Sequence, residues 1–355
     1  MLIYSRDSFK FSKDEILVDV RSPEEFEADH ICGAINLPVL NDSEFEQVGK
    51  LYKQNSPFEA SKVGSALVAS NIAQHLEKFF SDKRKESRIV FYCARGGKRS
   101  QAFATVCKMV GWEPAVLKGG YKAYRKHVLS TIQKFADSKR FIIIGGRTGV
   151  GKTDVLEFMR SHGHAVLNLE KLANHRGSIL GAPPSRKQPK QKLFESAIYE
   201  EIINIGECDP IFLESESSKI GNLLIPPEIW QSMKRSPTFI IDNTLENRVN
   251  YILESYDPDF LLEEELPKLI SIIERKHTNI NVEELNHLIE IKNWRSLVSL
   301  LITDYYDPLY NHSIRRRLDQ TISCIKTLQP IKDSFSDLRR KILFSLNKYL
   351  SQTSS

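Results

Sequence analysis

Short apolar runs recur along the chain, each closed by a turn or a glycine-rich segment and followed by a stretch with apolar positions three to four residues apart. Runs of this kind read as buried strands, and the stretches between them as amphipathic helices. Ile16-Leu-Val-Asp-Val20 is the first, and Ser22-Pro-Glu-Glu25-Phe after it has the order of a helix start, with Pro in the first turn and acids behind it. From Asp42 to Ser61 the pattern is polar and irregular, whereas Val63 to Phe80 carries apolar residues at helical spacing. The charged run from Ser81 to Ser87 reads as a loop into a second strand, Ile89-Val-Phe-Tyr92. A helix from about Ser100 to Val110, a turn at Gly111, a strand at Ala115-Val-Leu117 and a helical stretch from Tyr121 to Lys139 follow.

A new core begins at Phe141-Ile-Ile-Ile144. Ala165 to Leu169, Pro210 to Glu214 and Pro237 to Asp242 are further short apolar runs separated by helical stretches, an alternation that predicts a doubly wound parallel sheet. From Asp259 to the end the pattern is almost wholly helical. The expected fold class is α/β, with one α/β domain over 1–138, a second over 139–256 and a helical region over 257–355.

The chain has 355 residues, 41% hydrophobic and 27% charged, enough for two ordinary cores. Its five cysteines show no C-x-x-C pairing, which argues against a zinc site or a disulfide framework and for a reducing compartment, hence a cytoplasmic location. No apolar stretch approaches the roughly 18 residues of a membrane span, and Arg6, Asp7 and Lys10 leave no signal-peptide core, so no membrane partner is expected. The net charge of +5 is unevenly placed: Pro308 to Ser355 holds nine basic residues against three acidic, and Asp257 to Asp307 five against eleven. Such polarisation suits either a nucleic-acid contact surface or a solvated helix face.

Two loops carry candidate chemistry. Cys93-Ala-Arg95-Gly96-Gly97-Lys-Arg99-Ser100 lies between a strand and a helix, where helix-terminal N–H groups and cations from Arg95, Lys98 and Arg99 are expected to lower a thiol's pKa and hold an anion. Gly146-Arg-Thr-Gly149-Val-Gly151-Lys152-Thr153 matches the whole Walker A pattern: glycines let backbone N–H groups wrap phosphates, Lys152 neutralises charge, and the Thr153 hydroxyl can bind Mg²⁺. Glu214 and Asp242 each end an apolar strand and either is placed to hold the metal, with Glu214 favoured.

With Asp19-Val-Arg21-Ser-Pro-Glu-Glu25-Phe and His30-Ile-Cys-Gly33-Ala34-Ile-Asn36-Leu-Pro38 upstream, the Cys93 loop resembles the rhodanese family over most of residues 14 to 125. Rhodaneses carry sulfur or selenium on a loop cysteine, and their usual loop has an Arg five positions after it. Here Arg99 lies six positions on, the spacing of the enlarged loop of phosphatases built on the same fold, and a wider ring suits a tetrahedral anion.

Nearly the entire chain resembles the tRNA 2-selenouridine synthase family, in which a rhodanese domain precedes a P-loop domain. The matching residues are the Cys93 loop, Gly119-Gly120-Tyr121-Lys122-Ala123-x-Arg125, Gly149-x-Gly151-Lys152-Thr153, Leu169-Glu170-x-Leu-Ala173-Asn174-His175-Arg176-Gly177-Ser178, Glu214-Ser-Glu216-Ser217-x-x-Ile220-Gly221 and Tyr305-Tyr306-Asp307-Pro308-x-Tyr310. Ala94 and Lys98 depart from the family's pattern. The resemblance implies a tRNA-modifying enzyme that S-geranylates wobble 2-thiouridine with geranyl diphosphate and then installs selenium from selenophosphate, with Mg²⁺ as a candidate ion and a selenophosphate-producing enzyme as a candidate partner.

It also implies roles. Cys93, Arg95 and Arg99 are the candidate catalytic residues, and Gly96, Gly97, Gly146, Gly149, Gly151, Lys152 and Thr153 the phosphate cradle. His175, Arg176, Ser178, Glu214 and Glu216 are candidates for substrate contact, Thr153 and Glu214 for metal, and Arg315, Arg316, Arg317, Tyr305 and Tyr306 for tRNA. For His175 a structural role, and for the tyrosines helix packing, stand as alternatives. The rival functions are an NTP-dependent sulfurtransferase or kinase acting on RNA, a non-catalytic nucleotide- or tRNA-binding regulator, and a phosphatase.

Overall fold

The computed structural model describes residues 4–6, 9–175, 187–255, 266–275, 280–310 and 321–353. The chain divides into two compact units, one of Met1–Thr131 with Lys190–Glu200 and one of Ile132–Pro189 with Glu201–Ser355.

In the first unit β1 (Tyr4–Arg6), β2 (Glu15–Asp19), α1 (Pro23–Ala28), β3 (Ile35–Asn36), α2 (Asp42–Gln54), α3 (Pro57–Lys78), β4 (Arg88–Tyr92), α4 (Lys98–Val110), β5 (Ala115–Leu117) and the start of α5 (Gly120–Ser138) follow in order. The five strands form a parallel sheet in the order β1-β5-β4-β2-β3. Val18, Phe91, Phe103 and Ala104 are fully buried in its core, with the Phe91 and Phe103 rings stacked at 4.7 Å. Under the sheet's end a buried ion pair joins Arg21 to Asp19 at 2.6 Å. The same guanidinium donates to the Asp29 carbonyl and lies 3.9 Å from the Tyr121 ring centroid.

The polar stretch after Asp42 is helical, contrary to its irregular pattern. No residue of α2 is buried, although Phe45, Val48, Leu51 and Tyr52 recur along it at helical spacing, and its start is set by a capping box. Asn41 accepts from the Glu44 N–H at 2.9 Å and the Glu44 carboxylate accepts from the Asn41 N–H at 2.8 Å.

The second unit takes β6 (Phe141–Gly146), α6 (Lys152–Ser161), β7 (Val166–Leu167), α7 (Leu169–Leu172), the end of α8 (Gln191–Ile205), β8 (Ile211–Glu214), the hairpin β9 (Lys219–Ile220) and β10 (Leu223–Leu224), α9 (Pro227–Arg235), β11 (Thr238–Asn243) and α10 (Leu245–Ser255). Helices Leu266–Arg275, Val282–Glu290 and Trp294–Leu300 lead into a π-helical stretch, Leu301–Tyr306. Among the described residues after 257 the chain is mostly helical, but β12 (Thr321–Thr327) pairs in parallel with β11 and completes a sheet of order β12-β11-β6-β8-β7. As an edge strand that buries only Ile325 and Thr327, it has too weak an apolar signal to stand out in the sequence. The final helix, Ile331–Thr353, sends Leu338, Ile342 and Leu346 into the same core as Val155, Met159 and Phe239. Among the described residues no helix is long and apolar enough to cross a membrane.

The final helix is thus part of the sheet's packing. Leu338→Ala should destabilise the second unit by roughly 2–5 kcal/mol, as for other fully buried leucines, and urea unfolding would show it. A loss below about 1 kcal/mol, the range of surface substitutions, would mean the helix is an appendage.

Candidate active site

Both candidate loops leave the carboxyl end of a central strand at the point where strand order reverses. β4 lies between β5 and β2, and β6 between β11 and β8. Crevices at such switch points are where parallel α/β sheets bind ligands.

Cys93 follows β4 directly and α4 starts at Lys98. Gly96, at φ +65°, and Gly120, at φ +56°, allow the loop and the start of α5 to touch: a Cβ on Gly120 would lie 2.2 Å from the Cys93 carbonyl oxygen. The Tyr121 and Lys122 N–H groups donate to the Cys93 and Ala94 carbonyls, both at 2.9 Å. The thiol is 3% exposed, and its Sγ accepts from the Gly97 N–H at 3.2 Å and the Ser100 hydroxyl at 3.3 Å. Burial raises the thiol's pKa, but the Ser100 hydroxyl and the N–H groups of Arg95, Ser100 and Gly97 together outweigh it and hold the thiol below its ordinary value.

This bears out the expected N–H groups and corrects the expected part of the cations. The lowering comes first from neutral donors, not from the loop's cations. Arg95 and Lys98 are solvent-facing, and Arg99 is engaged by Glu25 at 2.8 Å and lies 5.0 Å from the Phe45 ring centroid.

In the second unit Gly151 caps α6 and Lys152 opens it. Lys152 Nζ lies 3.6 Å from Glu214, and the Thr153 hydroxyl lies 3.1 Å from Glu214 and 3.3 Å from Glu170. Ligand oxygens of Glu170, Glu214 and Glu216 all lie within 4.8 Å of one another. Burial and the neighbouring Glu170 push Glu214 up to about 8, and burial with Glu216 drives Glu170 well above the usual carboxylate range. Burial lowers the Lys152 ammonium's pKa, but Glu214 leads a set of neighbours that outweigh it and raise it, so the ammonium stays charged. These groups line a cavity of about 690 Å³ whose lining also includes Tyr251, Ile252, Tyr305, Tyr306, Leu309 and Tyr310.

Two family models match the chain: the rhodanese-like domain over residues 9–127 and the tRNA 2-selenouridine synthase AAA domain over residues 139–266. The tRNA 2-selenouridine synthase of Nitrosomonas europaea is 30% identical, over 86% of this chain and 91% of that protein. The synthase of Bdellovibrio bacteriovorus is 32% identical, over 86% and 91%. The chain belongs to the tRNA 2-selenouridine synthase family. It is an enzyme with a rhodanese-like and a P-loop domain, as its sequence implied.

Within this family member the expected residues fall out unevenly. Glu214 and Glu216 join Lys152 and Thr153 at the cavity, along with Gly146, Gly149 and Gly151. Asp242 is not among the residues lining that cavity. His175 packs by Gly221, where its ring carbon would lie 2.7 Å from an added Cβ. Tyr305 is 2% exposed, in a helical core with Leu297 and Leu301, and meets Tyr306 edge-on at 5.2 Å. A ring buried to that degree is a packing aromatic that borders the cavity, not an open platform for a base. Arg176, Ser178, Arg315, Arg316 and Arg317 lie outside the described residues.

Two site residues stand in the matching motifs, but the sequence assigns them no role. Glu170 follows Asn168, which caps the short helix after β7 by accepting from the Lys171 N–H at 2.9 Å; a cap directly after a strand marked a carboxylate at the sheet's ligand-binding edge. Ser100 sits one turn into α4, facing back to the thiol.

Because a thiolate is the nucleophile, Ser100→Ala should raise the thiol's pKa and slow alkylation of Cys93 by iodoacetamide at pH 7 roughly tenfold, about the worth of one hydrogen bond. Peptide mapping across pH would show the profile moved to higher pH. An unmoved profile would assign the activation to the backbone alone.

Proposed function

We propose that this enzyme converts wobble 2-thiouridine in tRNA to 2-selenouridine in two steps. In the first, the thiocarbonyl sulfur attacks C1 of geranyl diphosphate, the C–O bond breaks, and pyrophosphate leaves with the electron pair while the base loses its N3 proton. In the second, selenium of selenophosphate attacks C2 of the base and geranylthiol leaves on protonation. Water then cleaves the P–Se bond to release phosphate.

The observation that carries this reading is the mixed lining of the second unit's cavity. Lys152, Thr153 and the loop glycines supply its anion-binding groups, and Ile252, Leu309 and tyrosines supply apolar surface. An isoprenyl diphosphate needs such a pairing of an anion cradle with an apolar wall. Lys152 and the N–H groups at the start of α6 would hold the departing pyrophosphate. Glu170 and Glu214 are tolerable beside that anion because burial and mutual repulsion raise their pKa values and favour their protonated forms. The same hard oxygen donors, with the Thr153 hydroxyl, fit Mg²⁺. When bound, the ion would neutralise charge on the diphosphate. The Cys93 loop, with a thiol activated by fixed donors, suits selenophosphate or an intermediate derived from it.

In this division of labour Cys93→Ala should abolish selenium incorporation and leave S-geranylation largely intact, while Lys152→Ala should reduce geranylation even at saturating tRNA. Mass spectrometry of nucleosides after incubation with tRNA, geranyl diphosphate and selenophosphate, each omitted in turn, separates the steps. Loss of both steps in folded Cys93→Ala would refute the division. Steady ATP hydrolysis lost in Lys152→Ala, with geranylation untouched, would favour the NTP-dependent reading.

The basic C-terminal segment is proposed to grip tRNA phosphates. Part of its charge is already engaged, with Lys332 on Glu254 and Arg340 and Lys341 on Asp337. Arg315, Arg316 and Arg317 replaced together by Ala should make log affinity for tRNA fall less steeply with log salt, since each phosphate contact adds a slope of about −0.7 to −0.9. An unaltered slope would leave the cluster as a solvated surface.

A further inference from the structure

The P-loop is braced from behind by a residue outside its motif. Arg248, on α10, is 2% exposed, and its guanidinium is committed along two edges. Nε donates to the Thr148 carbonyl at 2.8 Å. The terminal nitrogens grip both oxygens of Asp307, at 2.8 and 2.6 Å. Asp307 in turn meets Arg147, the residue before Thr148, at 3.5 Å. The backbones also touch, because a Cβ on Gly149 would lie 2.9 Å from the Arg248 carbonyl oxygen. Thr148 and Gly149 both line the cavity that holds Lys152 and Thr153.

A trans peptide is one rigid plane, with its C=O and N–H pointing in opposite directions. Fixing the Thr148 carbonyl on Arg248 therefore fixes the Gly149 N–H facing away from Arg248. Gly149 sits at φ +84°, and glycine accepts either sign of φ at little steric cost. Without the brace, that peptide is free to rotate and present a carbonyl where an anion needs a donor. Only a planar fork serves both partners at once, Nε for the carbonyl and the far edge for the carboxylate; a lysine ammonium cannot hold that geometry. A buried ion pair is a poor device for stability alone, since apolar residues of similar volume often do as well.

We propose that Arg248 is a positioning residue of the diphosphate site: it locks the Thr148–Gly149 peptide with its N–H available to the anion, and Asp307 holds Arg248 in register. The inference rests on the diphosphate reading of the P-loop. It adds a determinant that the Walker A pattern does not contain.

Titration calorimetry with inorganic pyrophosphate and Mg²⁺ tests it in the full-length chain, on wild type, Arg248→Lys, Asp307→Asn and the control Arg160→Lys. Arg160 makes comparable contacts in the same unit, to Glu201 at 2.6 Å and the Val166 carbonyl at 2.9 Å. Arg248→Lys should weaken pyrophosphate binding roughly tenfold, as expected for losing a charged hydrogen bond. Asp307→Asn should weaken it by less, and Arg160→Lys should leave it unchanged whatever its Tm. The Gly149 amide resonance should shift on adding pyrophosphate to wild type and not to Arg248→Lys. If Arg248→Lys fails to fold, Asp307→Asn decides by the same two readouts. Wild-type affinity in both variants, or an equal loss in Arg160→Lys, would overturn the proposal while leaving the diphosphate reading standing. No pyrophosphate binding by wild type would overturn that reading, and this proposal with it.

Discussion

All five strands of each main sheet run parallel to their neighbours, so each unit has a single edge at which strands end and helices begin. Parallel pairing requires a crossover between consecutive strands, and the crossover helix starts at that edge with its first N–H groups unpaired. Anion-binding capacity therefore gathers on one side of each sheet, and is strongest where neighbouring crossovers diverge. Cys93 and Gly146 occupy that position in their respective sheets. The chemistry of each loop is an addition to a site that the topology already supplies.

The two loops solve the problem of buried charge differently. Around Cys93 the donors are neutral: a serine hydroxyl and backbone N–H groups hold the thiol's pKa below its ordinary value. Arg99, a candidate cation on α4, is paired with Glu25. Around Lys152 the charges are formal and crowded, with three carboxylates within 4.8 Å. That crowding is unfavourable while every carboxylate is ionised. It is relieved by protonation, as the raised Glu214 and Glu170 indicate, or by a cation. An anion approaching these groups thus meets carboxyls whose charge depends on what else is bound.

Beneath the first unit's loop, a second buried network fixes the start of α5. Tyr121 donates to Asp29 at 2.7 Å and stacks on Arg21, while its N–H holds the Cys93 carbonyl. Asp29 is raised mainly by burial, and Arg125, at 3.4 Å, supplies a compensating charge. Asp19 and Arg21, which helped carry the rhodanese resemblance, are thus framework rather than chemistry, together with Asp29 and Tyr121. They set the platform on which the thiol loop rests.

By itself the sequence determined the α/β class, the strand runs that lead into both loops, and the identities of Cys93, Lys152 and Thr153, because these depend on local periodicity and short contiguous motifs. It also marked Glu214, as a carboxylate ending an apolar run. Elements with a weak apolar signal were illegible: α2, none of whose residues is buried and whose start its cap sets, and β12, which pairs with a strand more than 80 residues earlier, Thr238 opposite Thr321. Only the tertiary structure decided that Glu170 completes a carboxylate cluster, that Ser100 rather than an arginine tunes the thiol, and that Asp307 closes on Arg248. Those are contacts between distant segments or between side chains whose direction the backbone fixes. Local spacing encodes which residues can do chemistry, but the direction of each donor is set by packing.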